Sequence, residues 1–326
     1  EPLLAPLPDR DDILFKACTA SSFGSDSSLT EQAEDKQAEP RVGFDPSFSR
    51  NYAAQRRGHL SPLSQRLSHR DSQRKEAVDE IVARQSVPAS YMSAMRDVNG
   101  TMRSILIDWL FAVALEYNVL FETVHVAVSY MDRFLARNAG LSRAKLQGVG
   151  LACLAVAVRE EEKSEFTDAD AVYMSADTYT AQQIEDQRHS VFQLLAPNFS
   201  VVTSRYILSK QISTLREELG AHQLHQSCRA EVLAFYLCDL AAQGHEFIKY
   251  TPIHIATSAL CVARRAAGMT TPSSSTAGFF QPRAECERLM QAALKKQTPS
   301  GELTELYEYY ADAEQLKVST WDLPNL

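Results

Sequence analysis

The stretch TMRSILIDWLFAVALEY, residues 101–117, decides the fold, because it is apolar on nearly every side yet carries two charges and a tryptophan within its first ten residues. A helix with apolar side chains all around it is typical of the centre of a helical bundle. Arg103 and Asp108 stand about 140° apart on such a helix, too far around to pair with each other. Because a buried charge without a partner costs about 3 to 5 kcal/mol, we expect each to bind a partner elsewhere.

A second helix, LQGVGLACLAVAV at residues 146–158, is equally apolar and should also lie inside a bundle. Helix boundaries are marked by Ser142, Thr180 with Gln183, Pro197, Gly244, and Thr251 with Pro252. Strand alternation is scarce from residue 75 onward, so the sequence predicts an all-α protein.

The helical pattern recurs at an offset of 106 residues. ACLAVAVR at 152–159 aligns with SALCVARR at 258–265, with leucine, valine, alanine and arginine at matching positions. The preceding helices, at 122–135 and 228–241, keep the same register. The repeat predicts two similar helical domains in tandem.

The composition excludes several classes of protein. Polyanion binders neutralise phosphates with surplus Lys and Arg, so a formal net charge of −8 argues against direct binding of nucleic acid. No apolar run reaches the roughly 18 to 20 residues of a membrane span, so we expect no membrane partner. The six cysteines lack CxxC spacing and fit a reducing interior.

Motifs for catalysis and metal binding are missing from the sequence. GxGxxG, GxxxxGK[ST], HExxH and GxSxG do not occur. His222, His225 and Cys228 turn through about 240° on a helix and would not converge on a metal. The acids of REEEK, residues 159–163, are typical of a solvated helix end. We therefore predict no cofactor, no metal and no catalytic residue.

Several motifs, in order along the chain, resemble the cyclin box and second cyclin fold of A/B-type (mitotic) cyclins. They are the YM of residues 91–92, MRSILIDWL, ETVHVAVSYMDRFL, KLQGVGLACLAVAVREEE, VYMSADTYT, LAFYLCDL, EFIKYTPIHIATSAL and the tail WDLP. The resemblance covers roughly residues 75–326. It implies an all-α fold of tandem cyclin-box domains, each of about five helices around a central buried third helix. The N-terminal box with its preceding helix falls at 75–199, and the C-terminal fold and tail fall at 200–326.

The resemblance implies a regulatory subunit that is not itself an enzyme. Such a cyclin binds and activates a cyclin-dependent Ser/Thr protein kinase and recruits its substrates in the control of the cell cycle and mitosis. The expected partners are therefore the kinase and docked substrate or inhibitor proteins, and the expected location is the nucleus and cytoplasm. The alternative is a cyclin-fold adaptor, like a transcription factor, that binds protein or nucleic acid without activating a kinase. The acidic balance argues against its DNA-binding form.

Residues 1–74 are rich in Ser, Asp, Gln, Pro and Arg, and this composition is typical of a mostly disordered regulatory segment. Ser61, which precedes a proline, is a candidate phosphosite. RGHL at residues 57–60 resembles the start of a destruction box, which would link the segment to ubiquitin-ligase machinery, although R-x-x-L arises easily by chance.

The resemblance also implies a kinase-binding surface. By position it comprises Ile81, Arg159, Glu160, Glu161, Glu162, Arg188, His189 and Phe192. Mitotic cyclins usually have Lys at Arg159, Glu at Arg188, an aromatic residue at Glu160 and Phe at Pro197. The pattern alone indicates plain solvated surface for the two arginines. If they do bind a kinase, we expect acids to separate them, namely Glu161 and Glu162 or a kinase carboxylate.

A substrate-docking patch is implied on the deciding helix. Met102, Ile105, Leu106 and Trp109 recur at helical spacing, and with Gln147 they match the family groove that docks short basic-x-Leu peptides. From spacing alone such a stripe is usually core. The acid that strengthens charge preference in some family members is Ala112 here. The resemblance further implies that Arg103 pairs with Asp132 as a buried structural ion pair.

Overall fold

The computed structural model describes residues 71–162, 166–218, 224–270, 283–298, 301, 303–312 and 315–321. Across these ranges the regular structure is helical and no strand occurs, so the all-α prediction is confirmed. RGHL and Ser61 lie outside the described residues, as does the expected tail up to residue 70. The last four residues of that segment, 71–74, begin the first helix.

Twelve α-helices are described. They are α1 Asp71–Gln85, α2 Tyr91–Ala94, α3 Gly100–Glu116, α4 Phe121–Arg137, α5 Leu146–Glu161, α6 Asp168–Met174, α7 Ala181–Leu195, α8 Ser204–Glu218, α9 Leu224–Gln243, α10 Pro252–Ala266, α11 Ala284–Lys296 and α12 Glu305–Ala311. Among them, none combines the length and the apolar character that a membrane span requires.

The helices form two five-helix domains, α3–α7 and α8–α12. In the first domain α5 is central and packs against α4, α7 and α3, and every residue from 146 to 158 is buried. In the second domain α10 packs against α9, α8 and α11. The predicted tandem architecture with a central third helix is therefore confirmed.

The offset of 106 residues holds for the second and third helices of the domains. Adding it to the start of α5 gives the start of α10, and Leu154 and Leu260 are both buried. The offset also carries α3 to residues 206–222, close to α8, whereas the residues 274–280 that it gives for α6 lie outside the described residues. The repeat therefore relates the first three helices of the two domains.

Side-chain caps set several helix starts. The predicted capping box of Thr180 and Gln183 begins α7, and Thr251 caps α10 ahead of its proline, so both predictions are confirmed. Ser142 differs from the prediction. Its hydroxyl accepts from the amide of Ala144 and caps a single 3-10 turn that leads into α5.

Arg103 of α3 is 1% exposed and makes the contacts that its burial requires. Its Nε and Nη2 donate to the two carboxylate oxygens of Asp132 on α4, each at 2.7 Å. Tyr91 donates to the same carboxylate at 2.6 Å. The remaining terminal nitrogen, Nη1, donates to the carbonyls of Ala242 and Gln243 at 3.1 and 2.9 Å, and so ties the first domain to the second.

Asp108 faces a different set of partners, as the sequence predicts. Its carboxylate accepts from the Gln243 side chain at 2.6 Å and from the amides of Glu305 and Leu306 at 3.2 and 3.3 Å. Burial raises the pKa of Asp108 to about 6, against the effect of these hydrogen bonds. The second charge of the deciding helix therefore holds the start of α12.

A third buried charge cluster joins the domains. Asp239 of α9 accepts from Arg205 at 2.5 Å and from Tyr310 at 2.7 Å, and it contacts His125 of the first domain at 2.9 Å. Burial alone would raise the pKa of Asp239, but the neighbouring Arg205 outweighs it and holds that pKa below its usual range. With the contacts of Arg103 and Asp108, this cluster fixes the two domains together.

Helix α1 lies against the junction of the two domains. The side chain of Gln85 both donates to the carbonyl and accepts from the amide of Val202, each at 2.8 Å. Ile81 is buried on the same helix and belongs to the core. These two hydrogen bonds hold α1 beside the linker from α7 to α8.

Candidate functional site

An open depression lies where the end of α5 meets α7. It has a volume of about 320 Å³, and its lining residues are Arg159, Gln182, Glu185, Asp186, Arg188, His189 and Phe192. Four of the eight residues predicted for kinase binding therefore come together here. The central position of α5 in its domain makes the end of this helix a rigid support for the site.

The exposed side chain of Arg159 covers one edge of the depression. Its guanidinium carbon lies 5.0 Å from the centre of the Phe192 ring, within the range of a cation–π contact. Its Nη2 is 3.2 Å from Glu160, an exposed pair that contributes little stability. The guanidinium is therefore held in place by an aromatic ring and retains donors that face solvent.

Arg188 is oriented by the helix before it. Its Nη2 donates to Asp168, the first residue of α6, at 2.9 Å. The acids that these two arginines contact are therefore Glu160 and Asp168. Glu162, one of the two acids expected between them, instead accepts from Leu120, and the alternative of a kinase carboxylate stays a prediction.

Glu161 and Glu162 lie on the inner side of the helix end. Glu161 is only 7% exposed, so the prediction of a solvated helix end is wrong at this residue. Glu162 accepts from the amide of Leu120 at 3.0 Å and so fixes the start of α4. Ile81, which is buried on α1, and these two acids do not line the depression.

Phe199 extends the aromatic surface and was not predicted. Its ring centre lies 4.9 Å from that of Phe192, and its carbonyl accepts from Tyr130 at 2.7 Å. Mitotic cyclins usually have Phe at the position of Pro197. In this structure the ring of Phe199, two residues later, packs against Phe192. The signal was an aromatic side chain in the otherwise polar sequence PNFS.

The predicted docking stripe is half core and half surface. Leu106 and Trp109 are 6% and 3% exposed, whereas Met102 and Ile105 are half-buried. Leu106 packs so tightly on α5 that a Cβ added at Gly150 would lie 3.0 Å from it. The stripe is therefore a shallow apolar edge above a packed floor.

One polar atom in this floor lacks a partner. The indole nitrogen of Trp109 is buried and has no hydrogen-bond acceptor among the described residues. Gln147, at the start of α5, is also buried. A buried indole N–H usually finds an acceptor, so this one is unusual in having none among the described residues.

The described residues hold no group of three His, Cys, Asp or Glu side chains arranged for a metal ion. Of the three residues considered from sequence, His222 and the side chain of His225 lie outside what the structure describes. Cys228 is half-buried, and burial raises the pKa of its thiol.

Comparison with known proteins identifies both halves of the fold. The model of the cyclin N-terminal domain matches residues 75–200, and that of the cyclin C-terminal domain matches residues 205–324. These ranges contain the two five-helix domains described above.

Individual relatives agree with the domain matches. The G2/mitotic-specific cyclin-A of Hydra viridissima is 40% identical over 176 residues, which are 54% of this chain and 40% of that protein. Cyclin-B2-4 of Arabidopsis thaliana is 31% identical over 232 residues, 70% of this chain and 52% of that protein. Human cyclin-A2 is 36% identical over 179 residues, 53% of this chain and 38% of that protein.

The chain thus spans about half or less of the length of these curated relatives. Their names are those of A-type and B-type cyclins, as the motifs of the sequence had predicted. With a cyclin N-terminal and a cyclin C-terminal domain in tandem, this chain belongs to the cyclin family.

Proposed function

We propose that this chain binds and activates a cyclin-dependent Ser/Thr protein kinase and recruits its substrates during cell division. The observation that carries the proposal is the exposed guanidinium of Arg159, stacked on Phe192 at the end of the central helix of a cyclin domain. The chain contributes binding surfaces, and the chemistry belongs to the kinase.

Arg159 supplies the main polar contact of this surface. A guanidinium has five N–H donors and no acceptor, so it binds main-chain carbonyls or a carboxylate of a partner. Stacking on Phe192 restricts its motion, and less side-chain entropy is lost when the partner binds. Phe192 and Phe199 supply an apolar floor next to these donors.

Arg188 gives the same surface its charge preference. Asp168 neutralises the charge of Arg188 only partly, because a third of the Arg188 side chain is exposed to solvent. A kinase with an acid opposite this position fits better than one selected for the Glu usual in mitotic cyclins. The surface therefore favours a kinase partner whose contacts diverged together with this chain.

Substrate recruitment rests on the edge of α3. Met102 and Ile105 offer partly exposed apolar side chains, and the Trp109 N–H offers one donor to a peptide carbonyl. Such an arrangement takes a short peptide with an apolar anchor. Because Ala112 stands where an acid would strengthen the charge preference, basic residues add less to the affinity here.

Copurification from dividing cells tests the proposal. The full chain, used as bait, is expected to recover a cyclin-dependent kinase, identified by mass spectrometry. Purified kinase should then phosphorylate a short peptide faster in the presence of the chain. Recovery of other proteins without any kinase, or a bound kinase with unchanged activity, would favour the adaptor alternative.

A further inference from the structure

Arg133, the neighbour of the ion-paired Asp132, is a buried cation without a matched anion in the part of the chain that the structure describes. It is only 4% exposed, and its Nε and Nη1 have no hydrogen-bond acceptor among the described residues. Arg103, equally buried, binds both oxygens of a carboxylate. A buried charge persists where something pairs with it, so Arg133 points to an anion that binds from outside the described part of the chain.

The unpaired side chain lines a small cavity at the end of α1. The cavity measures about 80 Å³, and its lining residues are Arg84, Gln85, Arg133, Pro197, Asn198 and Ser200. Two of these are arginines and none is an acid. Arg84 lies at the exposed rim, where its Nη1 is 3.4 Å from the amide oxygen of Asn198.

No carboxylate of the described residues lines this cavity or pairs with Arg133. The Glu80 carboxylate is 3.9 Å from Arg84, in an exposed pair on the solvent side of α1. Arg137 donates to the carbonyl of Arg133, so a further cation lies close by. Burial, together with the charge of Arg137, lowers the pKa of Arg133 from its ordinary value.

We propose that this cavity binds a phosphate group carried by a phosphorylated serine or threonine side chain. Such a group brings a charge of roughly −1.5 to −2 and three acceptor oxygens, which match two guanidinium groups better than one carboxylate does. Arg133 forms the floor of the site and Arg84 the rim. The Asn198 and Ser200 side chains are neutral hydrogen-bonding groups at the same opening.

The site is separate from the surface proposed to bind a kinase. Arg159 and Arg188 line the depression between α5 and α7, and neither lines this cavity. Phosphate binding can therefore hold or fail without deciding whether the chain binds a kinase.

Thermal melting of the full chain in inorganic phosphate tests the proposal, with sodium chloride of equal ionic strength and pH as reference. At a phosphate concentration about ten times the dissociation constant, the melting temperature is expected to rise by about 3 °C. Arg133→Met keeps the apolar stem and should abolish the rise. No rise in the unmodified chain, or an equal rise in Arg133→Met, would overturn the proposal.

Two further variants separate binding from folding. Arg84→Met changes only an exposed rim residue, so it should fold normally and show a smaller rise in phosphate. Arg288→Met, an exposed arginine of α11, should keep the full rise. An undiminished response in Arg84→Met, or a loss in Arg288→Met equal to that in Arg133→Met, would mean that phosphate acts nonspecifically.

Other anions identify the chemistry of the ligand. Acetate at the same ionic strength is expected to give little stabilisation, whereas O-phosphoserine should stabilise at least as well as inorganic phosphate. Equal stabilisation by acetate would show a carboxylate site instead. Stabilisation by free phosphate but not by O-phosphoserine would show that a side-chain phosphate does not fit, and would also overturn the proposal.

Discussion

Arg103 and Asp132 form a two-point ion pair in which both bonds measure 2.7 Å, and the same guanidinium reaches across to the second domain. The pair joins α3 to α4, while the carbonyls of Ala242 and Gln243 accept hydrogen bonds from the remaining guanidinium nitrogen. One side chain therefore supports both the first domain and its junction with the second.

Arg103→Met should lower the free energy of unfolding by about 3 to 5 kcal/mol, because Asp132 is left buried and unpaired. Chemical denaturation of the full chain measures this loss. Arg143→Met is the matched control, since Arg143 pairs with Asp97 at 3.8 Å on the exposed surface and should change stability by less than about 1 kcal/mol. Similar free energies of unfolding for the two variants would show that the buried pair stabilises the chain no more than an exposed pair does.

Asp108→Asn should change how stability depends on pH. Because the pKa of Asp108 is raised to about 6 in the folded chain, the folded state holds more protons than the unfolded state between about pH 4 and 6. The contribution of Asp108 to the free energy of unfolding therefore falls as pH rises through this range. The free energy of unfolding of the unmodified chain, minus that of Asp108→Asn, should fall by up to about 1.4 kcal/mol per pH unit. Urea denaturation measures both values. Parallel pH profiles for the two proteins would contradict the raised pKa.

Trp109→Phe should weaken substrate docking while leaving the fold intact. The indole N–H has no acceptor among the described residues, so its loss removes only a bond to the docked peptide, worth about fivefold in affinity. Phosphorylation of a docked protein substrate should slow, and that of a short peptide should not. Leu115→Ala, at an exposed position of α3, should change neither rate. Equal slowing of both substrates by Trp109→Phe would indicate damage to the core.

Arg188→Glu should weaken kinase binding about tenfold, because the new carboxylate would lie opposite an acid of the kinase and repel it. It also removes the bond to Asp168. Combining it with Asp168→Arg restores an ion pair within the chain. This double variant should recover thermal stability without recovering kinase affinity, as measured by calorimetry. If the double variant binds normally, Arg188 acts only by positioning α6.

Periodicity and capping predicted the helices because both are local properties. The apolar faces of α3 and α5 require burial on all sides, which places them inside the bundle whatever the connections are. The offset of 106 residues likewise followed from the core positions of α4 and α5. It relates α3 to α8 as well, while the residues that it gives for α6 lie outside the described part of the chain.

Contacts between domains could not be predicted in the same way. Gln243 and Ala242 meet Arg103 only because α9 ends beside α3, a relation that no local pattern encodes. Asp239 was a missed signal, because it interrupts the apolar run YLCDL as Asp108 interrupts its own helix. Applying the same reasoning there would have indicated a second buried ion pair.

The depression between α5 and α7, proposed to bind a kinase, was predicted only in part. The resemblance grouped Arg159, Arg188 and Phe192, and the structure brings all three to one depression. Which acids lie next to the arginines depends on how α5 ends. Glu161 turns inward and Asp168 comes from the following helix. Side-chain direction at a helix end depends on the packing of neighbouring elements, which spacing in the sequence does not reveal.

Arg159→Glu tests kinase binding most directly. The variant should keep the melting temperature of the unmodified chain, because Arg159 is exposed and its pair with Glu160 is weak. Arg159→Lys is the matched control and should retain most of the binding. Affinity for the kinase recovered with the chain, measured by calorimetry, should be lost in Arg159→Glu together with kinase activation. Unchanged affinity and activation in a folded Arg159→Glu variant would contradict the proposal that this surface binds the kinase.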